Sequence, residues 1–166
     1  MGKIILNNKQ LSLDGSNVTT SIGLLEGSFA IMFTAGFSSY ARWDNSGADW
    51  NLIYNFGAHN KQAITKIEAA FIESQMPTGF NIEASIDGTT YVNITDNVTI
   101  SFPGDDTFGT LYENSSNTTF YQSFRINFTD FADSSTIIER LNVFANIDKH
   151  DYNVEFDDAL LDLEGW

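Results

Sequence analysis

The sequence predicts an all-β fold of the sandwich type, and three observations carry that prediction. The composition suits strands and turns: Asn, Ser, Thr, Ile and Phe are abundant, with 12 glycines and only Pro77 and Pro103 as prolines. Several short runs alternate apolar and polar residues, the pattern of a strand with one buried face. No helical period of ten residues occurs before position 150, so short strands separated by turn signals must build the domain.

The elements follow in chain order. Residues 10–13 read as a strand ending at Asp14-Gly15, and residues 28–33 (SFAIMF) read as a buried strand. Residues 52–56 and 64–71 are strands flanking a turn at 57–61. The clearest signal is 82–94, IEASIDGTTYVNI, where apolar alternation lies on both sides of Asp87-Gly88. That pattern predicts a hairpin, because both turn residues tolerate φ > 0. In residues 123–128, Phe124, Ile126 and Phe128 share one face against Arg125 and Asn127. Residues 137–145 form the last strand, with Leu141, Val143 and Ala145 inward. The longest irregular stretch, 101–118, holds PGDDTFG and ENSSN and reads as a functional loop.

The chain divides into first strands or an arm (1–22), a main domain (23–146) and an acidic tail (147–166). In the tail, Phe156, Ala159, Leu160 and Leu163 fall on a helical stripe, and Glu155, Asp157 and Asp158 suit a helix N-terminus. A helix that short needs a surface to dock on, so Phe156, Leu160, Leu163 and Trp166 are candidate partner-docking residues.

Composition also excludes function classes. The 166 residues fit one domain and contain no cysteine, hence no disulfide, thiolate nucleophile or cysteine metal site. The formal net charge of -14, without a Lys/Arg cluster, disfavours nucleic acid and anionic membrane surfaces. No stretch has the length of a signal peptide core or a membrane span, so the expectation is a protein made in the cytosol and not exported by that route. Asn-x-Ser/Thr sequons at Asn17, Asn93, Asn97, Asn114, Asn117 and Asn127 then read as chance in an Asn/Thr-rich chain. His59 and His150 carry no signature, and no nucleophile elbow, phosphate loop or HExxH motif occurs, so no enzyme is expected.

The ordered features resemble a known family. ARWDNSGADWNLIYNFG (41–57), the hairpin FNIEASIDGTTYVNI (80–94), FRINF (124–128) and IIERLNVFAN (137–146) resemble discoidin-type (coagulation factor 5/8 C-type) domains. The resemblance spans residues 33–146 and implies a galactose-binding-like jelly roll that binds glycans, phospholipids or proteins through loops at one end. The family's terminal cysteines are missing, and residues 147–166 have no counterpart in it.

Within that frame, candidate sites can be named. A sugar site needs an aromatic platform with polar groups to fix hydroxyls. Phe37, Tyr40, Phe108 and Tyr112 on expected loops supply the first, and Arg42 and Asn45 the second, although most of the 14 phenylalanines must be core. Trp43 and Trp50 read as packing residues beneath the loop. Strand alternation points Glu139 toward the core side, where a carboxylate must be paired or coordinate a cation. The resemblance implies a structural Ca²⁺ held with Asp44 and Asp49; the competing reading leaves Glu139 solvated at a strand end or paired with Arg42. No cofactor is required. The expected function is a non-catalytic binding and structural module of a virus particle (phage capsid decoration or tail), with other copies or other particle proteins as partners and host glycan as a ligand. A free-standing carbohydrate-binding lectin or adhesin is the alternative.

Overall fold

The computed structural model describes residues 5–33, 40–95, 98–99, 107–131 and 133–148. Among these the strands are β1 (Ile5–Gln10), β2 (Val18–Thr20), β3 (Leu24–Glu26), β4 (Ala41–Asp44), β5 (Trp50–Asn55), β6 (Ala63–Phe71), β7 (Pro77–Ser85), β8 (Val92–Asn93), β9 (Val98–Thr99), β10 (Phe108–Glu113), β11 (Ser123–Phe131) and β12 (Ser135–Asp148). Three short 3-10 turns join them, and no α-helix occurs among the described residues. Two antiparallel sheets result. One has the order β10-β6-β12-β4-β3, with β1 also on β12; the other has the order β2-β5-β11-β7-β8, with β9 also on β7. The two sheets make an antiparallel β-sandwich, the class the sequence predicts.

The long strand β12 organises the first sheet. Its first residues pair with β4 (Ser135 opposite Asp44) and its last with β1 (Ile5 opposite Asp148), while β6 runs along its other edge. Register then defines two ends. Asp44, Trp50, Phe71, Pro77, Phe108, Phe131 and Ser135 all lie toward one, so the β4–β5, β6–β7 and β11–β12 connections gather there. We call it the loop end. At the opposite end lie the β5–β6 and β7–β8 connections and the start of β11.

The core fills the space between the sheets. Alternation in β5 (Trp50, Leu52, Tyr54), β7 (Phe80, Ile82, Ala84) and β11 (Phe124, Ile126, Phe128) sends one face inward. Ile64, Ile67, Ala69 and Phe71 of β6, with Ile138, Leu141 and Val143 of β12, oppose them. Burying each large apolar side chain contributes about 1.5–3 kcal/mol.

The structure corrects or refines the sequence reading at several places, and the strand read at 10–13 is instead the end of β1 at Gln10 followed by an irregular segment. Residues 28–33 are not a strand: Phe29–Phe33 is a 3-10 turn whose rings step by three to four positions, Phe29 stacking on Trp43 and Phe33 meeting Tyr54 edge-on. A continuous apolar run carries no period, and packing decided it. The stretch 101–118 is not all loop, because it contains β10, whose irregular register between Thr110 and Tyr112 buries both Leu111 and Tyr112. On β12 Leu141, Val143 and Ala145 are buried as expected, and a bulge between Ile138 and Arg140 breaks the alternation at Glu139 so that Ile138 joins the core. The expected hairpin at 82–94 forms, since β7 pairs antiparallel with β8, but neither Asp-Gly pair is a two-residue turn. Asp14 caps a 3-10 turn by accepting from the Ser16 N–H, and the Asp87 carboxylate accepts from the N–H groups of Thr89 and Thr90 in a six-residue connection. Only Gly88 there adopts positive φ (81°).

Candidate functional site

At the loop end, β4 and β5 are joined by a turn in which the Asp44 carboxylate accepts from the backbone N–H and hydroxyl of Ser46. Ser46 and Gly47 follow with positive φ. The Asn45 and Ser46 N–H groups donate to the Ser134 carbonyl, which fastens this turn to the β11–β12 connection. Beneath it Trp43 and Trp50 stack at 4.9 Å with 0 % and 2 % exposure, and Trp50 reaches Phe128 at 4.7 Å. The two tryptophans close the core and offer no platform to solvent.

The residues expected to bind sugar do not form one site. Tyr40 and Arg42 meet over Glu26 at the β3–β4 edge: the Tyr40 hydroxyl bonds its carboxylate at 3.3 Å, and Arg42 lies 4.0 Å from it. Asn45 turns inward, where its Oδ1 faces the Thr136 hydroxyl at 3.4 Å. Phe108 starts β10 at the loop end, whereas Tyr112 is buried near the strand's far end, and burial first, then Tyr121, raises its phenol pKa. Phe37 lies outside the described residues, as do Phe156, Leu160, Leu163 and Trp166.

The expected cation set is not assembled either. Asp44 and Asp49 are exposed while Glu139 is buried, and no group of three or more His, Asp or Glu side chains gathers for a metal among the described residues. The buried polar atoms left without partners near this loop are donors: Trp43 Nε1, Trp50 Nε1, Asn45 Nδ2 and Arg42 Nε. None of these atoms adds an oxygen ligand to Asp44, Asp49 and Glu139.

The opposite end presents an open cleft of about 390 Å³, lined by Lys9, Gln10, Leu11, Ser12, Leu13, Asn17, Tyr54, Phe56, Asn60 and Gln62. One wall is the segment leaving β1, held where the Leu11 N–H donates to the Val143 carbonyl. The 3-10 turn Gly15–Asn17 continues it. Gly15 is required there, since a Cβ would run into the Phe29–Ala30 backbone. The floor is aromatic. Tyr54 and Phe56 alternate inward at the end of β5 with centroids 5.0 Å apart, and Tyr54 stacks on Phe124 at 5.9 Å. The Tyr54 hydroxyl accepts from the Asp14 N–H at 3.0 Å and keeps its own proton to donate.

The other wall is the β5–β6 turn. Gln62 is fixed by its backbone pairing with Tyr121 and by a side-chain bond to the Asn60 carbonyl. Among the described residues, the side chains of Lys9, Asn17 and Asn60 have no hydrogen-bond or ionic partner. A half-exposed ring beside unengaged amides and an ammonium can stack against the apolar face of a polyol and hydrogen-bond its hydroxyls. Sequence reasoning missed this site because it joins three separate parts of the chain, 9–17, 54–56 and 60–62. The available signal was that Tyr54 and Phe56 share the inward face of β5 while straddling its last exposed position, Asn55.

Comparison with known proteins agrees with the architecture. No family model matches the chain, and no curated protein matches it. Solved structures do. The chain is similar to chitosan-binding module 1 of a chitosanase/glucanase from Paenibacillus sp. IK-5, with TM-score 0.63 and 13% identity over 82% of this chain and 99% of that one. It is similar to the family 32 carbohydrate-binding module of C. perfringens NanJ, solved with galactose, at TM-score 0.61 and 15% identity over 82% and 98%. It is similar also to the CBM62 module of Clostridium thermocellum Xyl5A, at TM-score 0.60 and 19% identity over 82% and 96%. At these identities the likeness establishes the fold: a galactose-binding-like sandwich whose structural neighbours include carbohydrate-binding modules.

Proposed function

We propose that this protein is a non-catalytic carbohydrate-binding module and that sugar docks in the cleft lined by Tyr54, Phe56, Asn17, Asn60, Gln62 and Lys9. The observation that carries the reading is the pairing of a Tyr54–Phe56 floor with the Asn17 and Asn60 amides and the Lys9 ammonium, whose side chains bond nothing among the described residues. The carbohydrate-binding modules among its structural neighbours support the ligand class. The virion role expected from the sequence rests on the absence of cysteines and of a signal peptide together with the terminal arms, and residues 149–166 lie outside the described residues, so the free-standing sugar-binding reading takes precedence.

A glycan array followed by calorimetric titration of the best hit tests it. Phe56→Ala should weaken binding by about ten- to a hundredfold, the loss of a stacking contact plus buried apolar area. Retention of full affinity in Phe56→Ala, or an array without any sugar signal, overturns the reading.

A further inference from the structure

A second depression adjoins the cleft. Its volume is about 320 Å³, and its lining comprises Gln10, Leu11, Ser12, Leu13, Phe33, Leu141 and Asn142. The segment from Gln10 to Leu13 is common to both, serving as a wall of each.

The two depressions have the same chemistry. In the second, Phe33 is the partly buried ring, and Gln10, Ser12 and Asn142 supply the polar groups. Gln10 Nε2 donates to Asn142 Oδ1 at 3.1 Å, and Asn142 Nδ2 donates to Glu68, so Asn142 is held rigid. The Gln10 Oε1 and the Ser12 hydroxyl bond nothing else among the described residues. The two partly exposed rings are linked through the core: Phe33 meets the buried Tyr54 ring edge-on at 5.8 Å, and Tyr54 lies 5.0 Å from Phe56. Three rings therefore run in a row beneath a segment whose side chains alternate between half-buried leucines (Leu11, Leu13) and exposed polar residues (Gln10, Ser12).

We infer that the two depressions are consecutive subsites for one glycan chain, so that the ligand is an oligosaccharide and not a single terminal sugar. This rests on the sugar-binding reading above and adds a chain length to it. A single sugar ring stacked on Phe56 leaves the Phe33 depression unfilled, while a chain extending past Gln10 and Ser12 stacks on both rings. Each extra stacked unit brings about 0.5–1.5 kcal/mol, roughly a two- to tenfold gain in affinity.

The test is calorimetric titration of the full chain with galactose, glucosamine and mannuronate, each as the monosaccharide and as oligomers of two, three and four units. For whichever series binds, affinity should rise by about two- to tenfold from one unit to three or four. Phe33→Leu, which keeps apolar volume for folding but removes the ring, should bring the longer oligomer down toward the affinity of the monosaccharide. Gln10→Ala, at an exposed position, gives a second reading and should also reduce the gain with length. Equal affinity for monomer and oligomer, or a gain with length that survives both substitutions, overturns this inference and leaves the sugar-binding reading standing. Absence of binding in every series overturns the sugar-binding reading itself.

Discussion

The two ends of the sandwich use aromatic residues in opposite ways. At the loop end Trp43 and Trp50 stack at 4.9 Å and are sealed by a turn tied to Ser134, with Asn45 folded inward. At the cleft end Tyr54 and Phe56 also alternate out of β5, but Phe56 stays half-buried and Lys9, Asn17 and Asn60 keep free polar groups beside it. Both ends are rich in rings and polar side chains. What separates a binding surface from a core cap is whether a ring and unengaged polar groups are exposed side by side. At the loop end the exposed polar groups bond one another, as Asp44 with Ser46 and Tyr40 with Glu26.

The largest expected effect tests the cap. Trp50→Ala removes a fully buried ring that touches both Trp43 and Phe128, so it should cost about 3–5 kcal/mol in denaturant unfolding. Phe56→Ala, on a half-buried ring, should cost clearly less stability while losing sugar. If Phe56→Ala proves as destabilising as Trp50→Ala, the two ends do not differ in the way described.

Next in size is Gly15→Ala. The new methyl would press on the Phe29–Ala30 backbone, which cannot step aside as a side-chain tip would. Overpacking of this kind costs about 1–3 kcal/mol. The displaced 3-10 turn carries Asn17 and adjoins Leu13, so glycan affinity should fall together with stability although no lining residue has changed. Tyr54→Phe is gentler. It leaves the Asp14 N–H without its acceptor and should cost about 1 kcal/mol, read by chemical denaturation.

These positions also show how far the sequence could be read. The sandwich was legible because β7 and β11 keep strict alternation opposite strands that keep it too: Phe124, Ile126 and Phe128 face inward from beginning to end. It failed where the backbone breaks period two. The bulge at Glu139 brings Ile138 of β12 into the core, and β10 puts adjacent residues Leu111 and Tyr112 there too, directly after a cluster of turn residues. The site was the least legible part. Aromatic residues at the loop end resemble a platform in sequence, yet whether a ring is covered depends on neighbours far along the chain, such as Ser134 above the Asn45 turn. The cleft brings Gln10, Asn17, Phe56 and Gln62 together only because β1 settles on the end of β12, and nothing in the short run before Asp14 announces that pairing.

The smallest expected effect asks whether the two ends also respond differently to acid. Asp14 and Asp87 both belong to the cleft end, and hydrogen bonds to their charged form hold their carboxyls below the usual carboxylate range: from the Ser16 N–H for Asp14, and from Thr90, then Thr89, then the Ser85 hydroxyl for Asp87. A depressed folded-state pKa means that the contribution is fully present above the unfolded value, about 3.9, and is lost as pH falls through the folded one. Both groups are exposed, so the effect on global unfolding is slight, and local amide exchange is the better readout. As pH falls through each folded value, below the usual carboxylate range, the amides of Ser16, Thr89 and Thr90 should lose protection, whereas the Asn45 amide, bonded to the Ser134 carbonyl, should keep it. In Asp87→Asn the amide oxygen remains an acceptor that does not titrate, so the Thr89 and Thr90 amides should become insensitive to pH while Ser16 continues to respond. Equal loss at Asn45 would mean that acid loosens the whole sandwich and that its ends are not independent.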